Sequence, residues 1–129
     1  MTIETKPLIA VVCIGDFGKR LIEKLRSENL GGISRYFHLE RLQPSPDGVE
    51  AIQQLSEAFA QLDTVLIIDL LSIKPDENWL ARGIAERAKE LEVRPILMII
   101  HRLAMPALIA KIRAEFWINY DYSDQQKCS

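Results

Sequence analysis

Gly15 and Gly18 follow an apolar run and are spaced as the last two glycines of a G-x-G-x-x-G turn, with Cys13 where the first would be. Such glycines let a backbone approach a pyrophosphate, and the helix N-terminus behind them attracts anions. Asp16 lies inside the turn and sets a negative charge where a phosphate would rest. Glu40 falls 22 residues beyond Gly18, at the end of a second strand, where a dinucleotide site places its ribose-binding acid. A working site of this kind would take GTP or NAD; the bland alternative is a tight turn and nothing more. Asp69 interrupts the run Val65-Leu66-Ile67-Ile68 and admits two readings. A carboxylate at a strand end caps nearby backbone N–H groups, or it serves as a metal or phosphoryl-acceptor acid with Asp16 or Asp76 as second ligand. His101 follows the fourth strand and reads as a structural histidine or as a general base. No metal is expected: Cys13 and Cys128 are the two cysteines, and no Cys/His cluster has zinc-site spacing.

These residues depend on the elements that carry them. Residues 8–14 are a continuous apolar run closed by Gly15, the pattern of a strand buried on both faces. Phe17, Leu21, Ile22 and Leu25 then recur at helical spacing over residues 16–28, and Gly31-Gly32 ends that segment. Residues 36–42 alternate, with Phe37 and Leu39 on one side, and predict a second strand. After the punctuation Pro44-Ser45-Pro46-Asp47-Gly48, the residues Val49, Ile52, Leu55, Phe59 and Leu62 mark an amphipathic helix. Residues 64–70 form a third strand, and Trp79, Leu80, Ile84, Ala88 and Leu91 a third helix with Glu86 and Lys89 on its wet face. Residues 95–100 read as a fourth buried strand, and residues 105–116 as a helix with Pro106 in its first turn. Residues 117–120 predict a fifth strand, at the sheet edge. Strands alternating with helices imply right-handed crossovers. The expectation is one three-layer, doubly wound α/β domain over residues 1–129, Rossmann-like, with a mainly parallel sheet in the order 2-1-3-4-5. Ligands of such sheets bind beyond the carboxyl ends of the strands, where the strand order reverses. Here that point lies between the first and third strands, beside Gly15, Asp16, Phe17 and Gly18, with Asp69, Ser72 and Asp76 opposite.

Composition narrows the classes. The chain has 129 residues, 48% hydrophobic and 26% charged, with a formal net charge of -2, an ordinary globular profile. Lys19, Arg20, Lys24 and Arg26 are interleaved with Glu23 and Glu28, so they read as a solvated helix face and not as a nucleic-acid footprint. Residues 1–7 lack an apolar signal region, and the longest apolar runs are too short to span a bilayer. A cytoplasmic location is expected, with neither nucleic acid nor membrane as partner.

The stretch from residue 62 to residue 100 resembles the GTPase domain of the bacterial cell-division protein FtsZ and its relative tubulin. In that family a helix of the form A-E-x-A-K-x-L leads into the next buried strand, as Ala85-Glu86-Arg87-Ala88-Lys89-Glu90-Leu91 leads here into residues 95–100. The turn Cys13-Ile14-Gly15-Asp16-Phe17-Gly18 takes the place of that family's first glycine-rich loop. Asn119, Asp121 and Asp124 resemble the N-x-D-x-x-D loop with which one FtsZ subunit completes its neighbour's active site. The family's G-G-G-T-G-T-G is replaced by Leu71-Ser72-Ile73-Lys74-Pro75-Asp76-Glu77, without a glycine. The resemblance therefore implies a bacterial FtsZ-like scaffold with degraded phosphate loops, and the long segment before the acidic loop is mostly absent. A second resemblance is to two-component receiver domains, in which Asp69 would be the phosphoryl acceptor. A receiver carries an acid pair after its first strand and a lysine after its fifth; this chain has Gly15-Asp16 and no lysine near residues 117–122.

Three readings follow. The leading one is a non-catalytic module acting through protein contacts. Its rivals are a GTP- or NAD-binding protein using Gly15, Gly18 and Glu40, and a receiver-like signalling domain using Asp69. Asp16, Asp69 and Asp76 at the candidate nucleotide edge would repel Asp121 and Asp124 of a neighbour, so a monomer or closed dimer is expected and not a polymer. Any dimer would use a helix face or the sheet edge.

Overall fold

The computed structural model describes residues 8–28, 33–41, 44–70, 78–100 and 104–116. Four strands, β1 (Ile9–Ile14), β2 (Ile33–Leu39), β3 (Thr64–Leu70) and β4 (Arg94–Ile100), alternate with α1 (Gly18–Ser27), α2 (Pro46–Glu57), α3 (Trp79–Glu90) and α4 (Met105–Phe116). The sheet order is β2-β1-β3-β4 and every pairing is parallel. Residues 117–120, the expected fifth strand, lie outside the described residues.

Every residue of β1 is buried, as its unbroken apolar run requires, and β3 is buried from Thr64 to Asp69. Side chains alternate between two cores. Val11, Cys13, Leu66 and Ile68 pack against Leu21, Ile22 and Leu25 of α1 and Leu108, Ile109 and Ile112 of α4. Ala10, Val12, Ile14, Val65 and Ile67 face Leu55 of α2, Phe59, and Leu80, Ala81, Ile84 and Ala88 of α3. The helices thus cover both faces of the sheet.

The structure shifts some expected elements. β2 spans Ile33–Leu39 instead of residues 36–42. Its ladder to β1 starts at Ile9↔Ile33 and ends at Ile14↔Leu39, and Phe37 and Leu39 share a face as expected. α2 ends at Glu57, although the apolar period runs on to Leu62. Beyond it the chain continues in i→i+3 turns, Phe59 N–H to Ser56 O and Leu62 N–H to Phe59 O, which keep Phe59 in the core. Val49 was expected inward but is 52% exposed. Ser45 caps α2, its hydroxyl accepting from Gly48 N–H at 3.2 Å, with Pro46 in the first turn. β4 departs most from expectation: Leu97 and Ile99 are 38% and 36% exposed, because β4 is an edge strand among the described residues.

Candidate functional site

β1 hands the chain to α1 through Gly15, whose φ of 113° lies where only glycine is comfortable. The turn is closed from within. Gly15 N–H donates to Leu39 O and Gly18 N–H to Gly15 O, each at 3.0 Å. Gly15 O also meets His38 Nε2 at 2.8 Å. A carbonyl can only accept, so Nε2 carries the proton. A Cβ on Gly18 would run into His38 Cδ2 and come within 3.2 Å of Cys13 Cβ. The close approach that requires Gly18 is therefore to an imidazole of the same chain.

Asp69 sits at the carboxyl end of β3, in register with Ile14 of β1 and Ile99 of β4. Its side chain is fully buried, and Oδ1 accepts from Arg41 Nη2 at 2.7 Å. Arg41 lies just beyond β2, so this ion pair reaches past the end of β1, across the point where the strand order reverses. Its place is the one where an open sheet of this order receives a ligand. The buried carboxylate thus has a charge-assisted donor supplied from within the chain.

Of the residues read from the sequence, the fold brings Gly15, Asp16, Gly18 and Asp69 to one edge. Asp16 is exposed, and Glu40 is exposed just beyond β2. Ser72, Asp76, His101, Asn119, Asp121 and Asp124 lie outside the described residues. Sequence reasoning missed His38 and Arg41, which stand 23 and 28 residues from the groups they hold. The one available signal was that His38 lies in, and Arg41 just beyond, a strand that ends at this same edge. Cys13, in the place of the missing glycine, is buried between β1 and α1, and burial pushes its thiol up to about 12. It stays protonated and un-nucleophilic at physiological pH. Among the described residues no group of three or more His, Cys, Asp or Glu could hold a metal ion. Among them, too, no helix is long and apolar enough to cross a membrane.

On the outer side of α1, Lys24 pairs with Glu28 at 3.7 Å and Arg113 of α4 with Glu28 at 2.7 Å. Arg20 lies over the Phe17 ring. Interleaved charges thus neutralise part of the basic face. Phe17, Arg20, Glu23, Lys24, Ser27 and Met105 border a shallow groove.

Among solved structures, a de novo designed Rossmann fold protein is similar to this chain. Its TM-score is 0.51 at 21% sequence identity, covering 84% of this chain and 95% of that chain. The fold is Rossmann-like. No protein-family model matches the sequence, and no curated protein matches it. At that identity the likeness carries the Rossmann-like architecture alone.

Proposed function

We propose that this chain is a non-catalytic Rossmann-like module that acts through protein contacts. One observation carries the reading: the switch-point edge is occupied by the chain's own side chains. Arg41 reaches Asp69 across the end of β1 at 2.7 Å. Beside it, the glycine turn closes on His38. A nucleotide phosphate entering there would compete with Asp69 for Arg41 and break an ion pair whose carboxylate is fully buried. It would also meet Asp16, an added negative charge in the turn.

On this reading the chain is an FtsZ-like or more generally Rossmann-like scaffold with eroded phosphate loops. What supports the FtsZ-like form is α3, which carries Ala85 to Glu90 and leads through Leu91 into β4. Calorimetric titration with GTP, ATP and NAD, each with and without magnesium, tests the reading. It predicts no saturable heat below millimolar nucleotide. A clear isotherm that Asp16→Lys strengthens would restore the nucleotide-binding alternative.

A further inference from the structure

The two edges of the sheet are built differently. β2 carries exposed Arg35 and the hydrogen-bonded His38, and its register with β1 shifts at Ile9/Ala10. A charge and an irregularity are how natural edges discourage pairing. β4 has neither along most of its length. From Pro95 to Ile100 the sequence is Pro-Ile-Leu-Met-Ile-Ile, without a charge, in unbroken register with β3 from Thr64↔Arg94 to Leu70↔Ile100.

The hydrogen bonds fix which groups point outward. Arg94 N–H donates to Asp63 O at 3.0 Å, so Arg94 turns its main-chain groups toward β3. Alternation then turns Ile96, Met98 and Ile100 the same way, and Pro95, Leu97 and Ile99 toward the open side. Proline there is consistent, since it has no N–H to offer the ladder. The open side presents the N–H and C=O of Leu97 and Ile99 and the carbonyl of Pro95. Among the described residues no strand pairs with them. The Leu97 and Ile99 side chains, on the α3 side of the sheet, are the exposed ones.

We propose that β4 of one chain pairs antiparallel with β4 of a second copy, joining two four-stranded sheets into one. The inference rests on the protein-contact reading above and names the partner. This edge is complementary to itself. A two-fold axis at Met98 sets Leu97 against Ile99 of the second copy and Ile99 against Leu97 of the second copy. Each such pair exchanges both of its N–H···O bonds, so all four outward amide donors are used. Pro95 falls outside the paired centre, where its missing donor costs nothing. The four apolar side chains then cover one another on a single face. The edge carries no charge to select an acidic or basic partner, and the same patch on both subunits closes the assembly at two.

Light scattering on the eluting full chain, over a rising concentration series, should show the mass of two 14.7 kDa chains. Leu97→Lys and Ile99→Lys, each at a partly exposed position, should leave the circular dichroism unchanged. Each should weaken the dimer about 100-fold or more, by placing a charge in the paired centre. Hydrogen exchange supplies a readout independent of either variant. The amides of Leu97 and Ile99 should be protected at high concentration and exchange freely on dilution. A monomer at every concentration would overturn the proposal, and so would a dimer that both lysines leave intact. Protection of those two amides in the diluted monomer would also overturn it, because the chain itself would then cover β4. None of these outcomes depends on nucleotide, so failure here is distinguishable from failure of the calorimetric test.

Discussion

Gly18 and His38 separate two explanations of a glycine after a strand. If Gly18 is glycine because His38 lies against it, Gly18→Ala should destabilise the fold by about 1–3 kcal/mol through overpacking. The same substitution in a His38→Ala background should cost much less, since the space is then vacated. Denaturant unfolding of the two single variants and the double variant reads this as a coupling energy. Additive effects would return Gly18 to a role independent of His38. Asp69 carries the second prediction at this scale. Its carboxylate is fully buried and engaged by Arg41, so acetyl phosphate should add no phosphoryl group to the chain. A mass gain that Asp69→Asn abolishes would revive the receiver reading. The turn and the acid were both legible in the sequence, because glycine spacing and a carboxylate inside an apolar run are local signals. Their partners were not. His38 and Arg41 act through separations of 23 and 28 residues, and nothing local to either residue announces such a contact.

The elements differ in how plainly their sequence declares them. β1 and β3 lie at the centre of the sheet with a helix layer on each face, so β1 is apolar at every position and β3 from Val65 to Ile68, and both could be read directly. Ile67→Asp tests this most severely. It would put a charge between α2 and α3 without a partner, and should cost about 4 kcal/mol or more, enough to unfold a domain of ordinary stability. A soluble Ile67→Asp variant that still unfolds cooperatively would contradict the central placement of β3. β2 was legible in type but displaced by three residues, because an edge strand with one bonded side carries polar residues that blur its ends. β4 has the composition of a buried strand, yet leaves Leu97 and Ile99 exposed. Apolar content reports what a strand is able to cover, and the sheet order decides whether anything covers it.

At the scale of the whole molecule, strand order decides which residues can meet. The order β2-β1-β3-β4 places the reversal between β1 and β3, and there the chain spends Arg41, Asp69 and His38 on itself. On the proposed reading, another protein would bind at the outer surfaces, and at β4 above all. On that reading the switch-point edge is closed by the chain's own side chains. The most direct measurement is the amide resonances of Gly15 and Gly18, with the ring resonances of His38, during titration with GTP and magnesium. If the edge is closed, none of these signals should shift in a saturable way, and the His38 ring should remain hydrogen-bonded to Gly15. Saturable shifts of both glycine amides, with release of the His38 ring, would show that phosphate enters the turn and would contradict it.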